Sequence, residues 1–452
     1  MNVPWKPGGI GVVAIWIGAG CAGKAVTGAA TDASAGNGDD AAGVNPGGSS
    51  MTGAAADAST GGSGGAGGDG GSNDGASSEP ESSSAADAAC AYLAPPYTSA
   101  QDDPHHCGSN GHDCLGGACQ DGGCATLPAG VLATGQLNPI AIAADDTNVY
   151  WLNWGVEHEL AYGGGGLPPE ERVGGQVMKC AAAGCNNEPT ILASVPGGPG
   201  GIPEAPSAIA VDAENVYWTT QSSIQSCAIS GCGCAPTTIA SGLSQPPALA
   251  VAVGHVYWSV WANGSPYTGQ IESCPAGGCQ GVPTLLAGAL GGPLGLAVDS
   301  TDIYWVDTYG PLMKCALTGC DARPTALWSI GGDGGVQSIG VAVDATNLYW
   351  TNGGNGTVME CAKADCAGTL VTLASGQSEP SGLAVDASFV YWRGDNIYRC
   401  AIGGCANSPD LVAAASGPGF SWDAALAVNA THVFWTQQGA TSSDARIMTV
   451  AR

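Results

Sequence analysis

A phrase of ten residues recurs seven times along this 452-residue chain and is clearest at residues 341–350, Val-Ala-Val-Asp-Ala-Thr-Asn-Leu-Tyr-Trp. Successive copies lie 40 to 47 residues apart, except for a first interval of 67 residues. Intervals of about 40 to 50 residues are typical of the blades of β-propellers. Each copy ends on an aromatic pair: Tyr150-Trp151, Tyr217-Trp218, Tyr257-Trp258, Tyr304-Trp305, Tyr349-Trp350, Tyr391-Trp392 and Phe434-Trp435.

Each copy predicts a β-hairpin followed by two more strands. In the fifth copy, an apolar run (340–343) and a β-rich run (348–351) flank Asp-Ala-Thr-Asn, which favours a turn because Asp and Asn hydrogen-bond their own backbone. Further β-rich runs follow at 357–361 and 369–374. Adjacent Tyr and Trp side chains point to opposite faces of the blade, since side chains alternate along a strand. Such a blade is stable only between two neighbours.

The two ends of the repeat region complement each other. The seventh copy stops after its third strand, at residues 446–450, and residues 130–135 are an orphan copy of a fourth strand. Pairing them would close the ring and remove exposed sheet edges, whereas the alternative, an open stack of β units, leaves both ends unpaired. The sequence therefore predicts an all-β fold at residues 125–452: a seven-bladed β-propeller of four-stranded blades, closed by an N-terminal strand.

The phrases Gly-Leu-Ala-Val-Asp (382–386) and Asn-Leu-Tyr-Trp-Thr (347–351) resemble the repeats of YWTD and NHL propellers. The resemblance covers roughly residues 130–452. It departs from the YWTD pattern at the fourth motif position, which is Asp only at Asp307, and in having seven units where YWTD propellers usually have six. The resemblance implies an extracellular binding scaffold, but the wider fold also includes hydrolases, so the fold alone does not decide the function.

The N-terminal residues predict export followed by a tether. In residues 1–21 one charge, Lys6, precedes an apolar run at 10–17 that is too short to span a bilayer. The small residues before Cys21 resemble a bacterial lipoprotein signal, which implies lipidation of Cys21; an ordinary signal peptide is the alternative. Residues 22–89 are almost entirely Gly, Ala, Ser, Asp and Thr and predict a disordered linker.

Residues 90–124 predict a small cysteine-rich module. Export favours disulfides for it, and the spacing is not the paired CxxC of zinc ribbons, although nearby histidines leave zinc as an alternative. The cysteines are Cys90, Cys107, Cys114, Cys119 and Cys124, and the histidines are His105, His106 and His112.

Six of the seven blades carry two cysteines with four residues between them, at the turn that joins the third and fourth strands. The two sulfurs can meet across this hairpin, so each pair predicts a disulfide. Cys234 is additional, and with the five cysteines of the module it makes an even number whose pairing the sequence does not determine. The six pairs are Cys180 and Cys185, Cys227 and Cys232, Cys274 and Cys279, Cys315 and Cys320, Cys361 and Cys366, and Cys400 and Cys405.

The net charge is −27, from 38 acidic and 11 basic residues. So acidic a chain has no basic stripe to neutralise phosphates, which argues against a nucleic-acid partner and against direct adhesion to an anionic membrane. We expect membrane contact only through a lipid anchor, at the outer membrane or cell surface, or secretion of the free protein. We also expect a monomer without a cofactor or metal site, and a calcium ion in the channel is left open.

Antiparallel four-stranded blades give the ring two different faces. The Asp-x-x-Asn turns and the cystine turns lie on one face, called the turn face. The connections from second to third strand and between blades lie on the other, called the connection face, where blade 1 inserts residues 155–174. This face varies most, so we predict the ligand site there, at Trp154, His158, Trp261, Tyr309, Arg393 and Asp395.

Aromatic side chains accompanied by a few polar groups suit a sugar or peptide ligand. The alternative for Trp154 and Trp261 is that they only cover the blade. No nucleophile elbow, zinc-protease or phosphate-loop motif occurs, and no catalytic residue is assigned. We predict a binding or protein-interaction module for a glycan, a cell-wall fragment, a peptide or an envelope protein. The alternatives are an extracellular hydrolase or lactonase using carboxylates such as Asp307 and Asp395, and a purely structural envelope protein.

Overall fold

The structure is a computed structural model that describes residues 119–120, 123–124, 130–155, 174–195, 206–233, 235–244, 246–260, 269–307, 311–320, 323–328, 338–415, 425–439 and 445–452. Across these ranges the secondary structure is strand, and no helix long and apolar enough to cross a membrane is found. The predicted signal, the linker and most of the cysteine-rich module lie outside the described residues.

Seven four-stranded antiparallel sheets form the seven blades, and in each the strands lie side by side in one order from the first strand to the fourth. The seven-bladed all-β propeller predicted from the repeat is therefore confirmed. A separate two-stranded ribbon precedes it, formed by β1 (Cys119–Gln120) and β2 (Gly123–Cys124).

The remaining strands follow the repeat blade by blade. They are β3 (Val131–Gln136); in blade 1, β4 (Pro139–Ala144), β5 (Asn148–Asn153), β6 (Gln176–Ala181) and β7 (Thr190–Ser194); in blade 2, β8 (Ile209–Val211), β9 (Asn215–Thr219), β10 (Ser223–Ala228) and β11 (Thr237–Ser241); in blade 3, β12 (Leu249–Ala252), β13 (His255–Val260), β14 (Gly269–Pro275) and β15 (Thr284–Leu290); in blade 4, β16 (Pro293–Val298), β17 (Asp302–Asp307), β18 (Leu312–Ala316) and β19 (Thr325–Trp328); in blade 5, β20 (Ser338–Val343), β21 (Asn347–Asn352), β22 (Thr357–Ala362) and β23 (Val371–Ala374); in blade 6, β24 (Ser381–Val385), β25 (Phe389–Arg393), β26 (Ile397–Ala401) and β27 (Asp410–Ala413); and in blade 7, β28 (Leu426–Val428), β29 (His432–Gln437) and β30 (Ala445–Ala451).

The ring closes as the two chain ends predicted. Strand β3 pairs with β30 and is the fourth strand of blade 7, with Val131 opposite Met448 and Gln136 opposite Ala445. The backbone N–H of Thr449 adds a hydrogen bond to the carbonyl of Gly130, 2.8 Å away. Closure thus joins residues more than 300 positions apart in the sequence by backbone pairing.

The aromatic pairs form the contacts between blades. All six tyrosines, Phe434 and the seven tryptophans of the pairs are buried. In every blade the Tyr or Phe shares a hydrophobic cluster with the Trp of the following blade, as Tyr304 does with Trp350 and Tyr349 with Trp392. One member of each pair packs forward and the other packs back, as alternation along the strand predicted.

On the turn face, a carboxylate fixes the hairpin of five blades. Its Oδ1 accepts the N–H groups of the residues two and three positions later, and its Oδ2 accepts the hydroxyl of that blade's tyrosine at 2.7 to 3.0 Å. Burial, together with Asp386, raises the pKa of Tyr391 to about 12. The five aspartates are Asp145, Asp212, Asp299, Asp344 and Asp386.

All six predicted blade disulfides are confirmed, with Cα–Cα separations between 4.7 and 5.5 Å. In four blades a cystine sulfur also lies 3.4 to 3.8 Å from a backbone carbonyl in the fourth strand of the preceding blade: Leu192, Ile239, Leu286 or Leu373. Each of these cystines therefore packs at a blade interface as well as closing its own hairpin.

Candidate functional site

Three of the six residues predicted for the ligand face are described by the structure. These are Trp154 at the end of β5, and Arg393 and Asp395 at the end of β25 and in the turn after it. His158, Trp261 and Tyr309 lie outside the described residues, so their placement stays a prediction. All three described residues lie on the connection face, because second strands run from the turn face to the connection face.

Trp154 is partly buried and packs against the hydrophobic cluster of blade 1. Its backbone N–H donates to the carbonyl of Asn138 at 3.0 Å, and the next N–H, of Gly155, donates to Leu137 at 3.1 Å. The strand end that carries Trp154 is therefore attached to the connection entering blade 1. Trp154 covers part of the blade core and also borders the connection face.

Beneath Trp154, a buried glutamine joins blades 7 and 1. Gln136 is 1% exposed, and its Oε1 accepts the indole N–H of Trp151 at 2.8 Å and the amide of Asn153 at 3.2 Å. Its own amide donates to the carbonyl of Thr134 at 2.8 Å. Because Gln136 satisfies the indole N–H inside the core, it fixes the connection that supports Trp154.

The same arrangement, a glutamine that accepts the indole N–H of the next blade, recurs where blade 5 joins blade 6. Gln377 accepts the indole N–H of Trp392 at 3.0 Å and donates to the carbonyl of Ser375 at 3.3 Å. Sequence reasoning missed both glutamines. A comparison of the connections would have found them, since Ala-Thr-Gly-Gln (133–136) and Ala-Ser-Gly-Gln (374–377) are near copies that each precede a blade.

Arg393 lies at the interface between blades 6 and 7. One guanidinium nitrogen donates to the backbone carbonyl of Thr436, in the second strand of blade 7. Farther along that strand end, the Gln438 amide donates to the carbonyl of Pro139, the first residue of blade 1, at 2.9 Å. Polar side chains on the connection face thus link blade 6 to blade 7 and blade 7 to blade 1.

Asp395 positions a tyrosine. Its Oδ1 accepts the Tyr398 hydroxyl at 2.9 Å, and Asn396 donates to the same hydroxyl at 3.2 Å. The Tyr398 ring stacks on Trp392, with centroids 6.1 Å apart and an interplanar angle of 25°. Asp395 therefore belongs to a cluster of polar and aromatic side chains on blade 6 that hydrogen bonds and ring stacking hold in place. Arg393 and Asp395 lie on blade 6 and Trp154 lies on blade 1, with blade 7 between them. We call the connection face of these three blades the 6-7-1 arc.

Asp307 lies on the connection face of blade 4, where β17 ends. Its Oδ2 accepts the backbone N–H of Gly291 at 3.3 Å, and burial raises its pKa above the ordinary range of a carboxyl group. Asp395, the other carboxylate named for a hydrolase, lies on blade 6, with blade 5 between it and Asp307. Within the described residues, no group of three or more His, Cys, Asp or Glu side chains could hold a metal ion.

Comparisons with known proteins give a fold likeness only. No protein-family model and no curated protein matches the chain. Solved structures similar to it include the nidogen/laminin complex, at 22% identity over 50% of this chain and 76% of that chain, with a TM-score of 0.37. Virginiamycin B lyase from Staphylococcus aureus is similar at 9% identity over 69% of this chain and 94% of that chain, with a TM-score of 0.47. A puromycin hydrolase is similar at 14% identity over 70% and 53%, with a TM-score of 0.45. No ligand or activity follows from these likenesses.

Proposed function

We propose that this chain is an exported binding module that recognises a glycan, a cell-wall fragment or an envelope protein through the 6-7-1 arc. The observation that carries the proposal is that hydrogen bonds and packing fix all three described candidates on the connection face, with Arg393 and Asp395 on blade 6 and Trp154 on blade 1. A rigid surface loses little conformational freedom on binding, which favours affinity. The six cystines of the blades suit an oxidising environment outside the cytosol.

The chemistry of the arc suits a ligand with both a flat apolar face and polar groups. The indole of Trp154 offers a platform for a sugar ring or an apolar side chain. Arg393 brings guanidinium donors and Asp395 brings carboxylate acceptors to blade 6, and both are positioned by contacts within the fold. Groups of this kind discriminate hydroxyl, carboxylate and amide positions by hydrogen-bond geometry.

The decisive experiment is thermal unfolding of the purified protein against a panel of cell-wall saccharides and peptides. We expect a ligand-dependent rise in Tm, because a ligand that binds only the folded state stabilises it. Trp154→Ala should weaken the binding found in this way by roughly 30-fold, as removal of a central aromatic contact does. Asp146→Ala is the matched control, since Asp146 is an exposed residue on the turn face of the same blade.

The substitution Asp395→Asn distinguishes the effect of the carboxylate charge on binding from its role in positioning Tyr398. The amide oxygen of Asn can still accept the Tyr398 hydroxyl, so the tyrosine keeps its position while the negative charge is lost. Weaker binding with unchanged Tm of the free protein would support a direct ligand contact. If ligand affinity is the same for wild type, Trp154→Ala and Asp395→Asn, the 6-7-1 arc is not the binding surface.

We further propose that the propeller is attached to a membrane by lipid on Cys21, through the linker at 22–89. The small residues before Cys21 and the Gly-rich composition after it support this. Cells expressing the full chain should incorporate a labelled fatty acid into it, and Cys21→Ser should abolish the label. Recovery of unlabelled wild-type protein in the soluble fraction would indicate an ordinary secreted protein.

A hydrolase is the second candidate, and the observation that favours it is Asp307. Burial raises the pKa of this carboxyl group on the connection face, as a general acid requires. Wild type should be assayed against lactones and simple esters beside Asp307→Asn. Turnover by wild type that falls at least about 100-fold in Asp307→Asn would replace the binding module by an enzyme.

A further inference from the structure

Blade 7 differs from the other six in lacking a cystine on its third strand. Val450 holds the position of the first cysteine, since it pairs with Val433 as Cys361 pairs with Leu348 in blade 5. The fourth strand of blade 7 is β3, which comes from the N-terminal side of the ring. In the order of the repeat, the sequence just before β3 therefore corresponds to the cystine turn of the other blades.

Those residues repeat the cystine turn of the blades. Cys119 and Cys124 are separated by four residues, as in all six blade pairs. Gly123 precedes the second cysteine, as a glycine does in five blades, where that glycine has φ between 97° and 121°. A proline follows four residues after the second cysteine in the same five blades, and Pro128 follows Cys124 in the same way. The five glycines are Gly184, Gly231, Gly278, Gly319 and Gly404, and the five prolines are Pro189, Pro236, Pro283, Pro324 and Pro409.

One difference separates this copy from the others. In each of the six other blades, one fourth-strand residue pairs with the third strand next to a β-bulge. That residue lies six positions after the second cysteine, as Leu411 lies after Cys405. From Cys124 to the corresponding Val131 there are seven. The additional residue lies next to Gly130, whose φ of 81° is open to glycine but strained for other residues.

The backbone brings the two cysteines together. Strands β1 and β2 pair in a register that places Cys119 directly opposite Cys124. Directly opposed residues of an antiparallel pair have Cα atoms about 4.5 to 5.5 Å apart, within the range that a disulfide needs. We propose that Cys119 and Cys124 form a seventh cystine, and that the propeller begins at Cys119 rather than at residue 125.

The proposed bond forms by the chemistry that the six blade cystines require. Two thiols lose two protons and two electrons, and a disulfide of a thiol oxidoreductase in the exporting compartment takes them up and becomes a dithiol. With fourteen cysteines in seven hairpins and Cys21 reserved for lipid, four cysteines remain: Cys90, Cys107, Cys114 and Cys234. The cysteine-rich module then shrinks to residues 90–118.

The pairing is tested on the full chain by digestion without reductant, using a protease that cleaves before aspartate. Cleavage before Asp121 opens the loop and yields fragments 113–120 and 121–144, which should stay joined until reductant is added. Tandem mass spectrometry should assign the bond to Cys119 and not to Cys114. The proposal is overturned if Cys119 or Cys124 carries a free thiol or is joined to any of Cys90, Cys107, Cys114 or Cys234.

Membership of the propeller is tested by stability. The double variant C119S/C124S should lower the Tm of the ring by roughly 2–4 °C, similar to the matched blade 6 variant C400S/C405S. An unchanged Tm in C119S/C124S beside a lowered Tm in C400S/C405S would mean that the hairpin lies outside the propeller. The disulfide assignment on wild type does not depend on either variant folding.

Discussion

The turns of blades 4 and 3 are neighbours on the turn face, but different groups fix them. In blade 4, Asp299 Oδ1 accepts the N–H groups of Thr301 and Asp302, both at 2.8 Å. Its Oδ2 accepts the Tyr304 hydroxyl at 3.0 Å and the Lys363 ammonium at 2.8 Å. One carboxylate therefore holds a turn, a core tyrosine and a residue of the next blade.

Blade 3 has Ala252 at the position of that aspartate. Its turn instead places Val253 and Gly254 at φ of 52° and 71°, which is the backbone of a type I′ hairpin turn. Valine is β-branched and strained in this region, and Val253 is 63% exposed. Burial raises the pKa of Tyr257, which has no carboxylate of its own turn to donate to.

The comparison teaches that the aspartate does more than make a turn. Lys363 binds both Asp299 and, at 2.9 Å, the carbonyl of Asp344, so it joins blades 4 and 5. Between blades 3 and 4, Ala252 and Leu317 stand at the positions of Asp299 and Lys363, and neither can form an ionic bridge. Backbone geometry alone can replace the turn, but it cannot replace the link between blades.

The C-terminal arginine repeats the link of blade 4 between blades 6 and 7. The guanidinium of Arg452 lies 3.0 Å from Asp386 Oδ2 and donates to the carbonyl of Asn429 at 2.8 Å. Arg452 occupies the position of Lys363, because both donate their backbone N–H to the preceding turn, at Thr431 and Thr346 respectively. This cation-mediated link between neighbouring blades is therefore a feature of the repeat and not of one blade.

The largest effect should come from Asp299→Ala. It removes the acceptor of two backbone N–H groups and of the Tyr304 hydroxyl, and it leaves the Lys363 ammonium without its carboxylate, so we expect a loss of about 3 kcal/mol in the free energy of unfolding. Urea denaturation measures it. Asp146→Ala, which changes an exposed turn residue, should stay within about 0.5 kcal/mol of wild type. A similar small loss for Asp299→Ala would mean that the turn of blade 4 is fixed by its backbone, as in blade 3.

Lowering the pH should remove the stabilisation that the Asp299 carboxylate provides, and it should do so gradually. Burial opposes ionisation of Asp299, but hydrogen bonds from Lys363, Thr301 and Asp302 outweigh it and lower its pKa from the ordinary 3.8 to about 2. A depressed folded-state pKa gives stability above the unfolded pKa that is lost as the pH falls from about 5 to about 2. Wild type should therefore lose about 1–2 kcal/mol relative to Asp299→Asn over that range, after allowance for solvent screening.

This pH dependence is measured by urea unfolding at a series of pH values for wild type and Asp299→Asn. The two proteins should differ most near neutral pH and converge towards pH 2. Parallel curves at all pH values would show that the carboxylate charge of Asp299 adds nothing to folding.

Tyrosine-to-phenylalanine substitutions in blades 4 and 3 should change the free energy of unfolding by different, smaller amounts. Tyr304→Phe removes the hydroxyl that donates to Asp299 and should cost about 1 kcal/mol. Tyr257→Phe should cost close to nothing, because blade 3 offers no aspartate and burial of that hydroxyl is unfavourable. Blade 7 already combines Phe434 with Asn429 in place of the Tyr–Asp pair. Equal costs for the two substitutions would contradict the difference drawn between the blades.

The smallest effect should be a gain from Val253→Gly. Glycine adopts φ of 52° without the steric penalty of valine, and relief of strain should exceed the added freedom of the unfolded chain by about 0.5 kcal/mol. Ser300→Gly at the corresponding position of blade 4, which has no positive φ, should instead destabilise slightly. Thermal unfolding of both variants compares them directly, and destabilisation by both would mean that Val253 is not strained.

Much of the architecture could be predicted from repetition. The spacing of the aromatic pairs predicted seven blades, and the four-residue spacing of cysteines predicted six disulfides. The orphan fourth strand at one end and the missing fourth strand at the other predicted closure of β3 on β30. These features are local or periodic, so single repeats reveal them. The candidate site was predicted less completely, because the sequence named Arg393 and Asp395 as ligand-face residues but not the partners Thr436 and Tyr398 that hold them in the fold.

The sequence by itself determined the strands, the turns and which side of each strand is apolar, because those depend on residue types within a few positions of one another. Only the tertiary structure decided how neighbouring blades are joined. Gln438 reaches Pro139 and Asn429 reaches Asp145 across 299 and 284 residues. Such partners become neighbours only when the ring closes, so no local pattern marks them in advance.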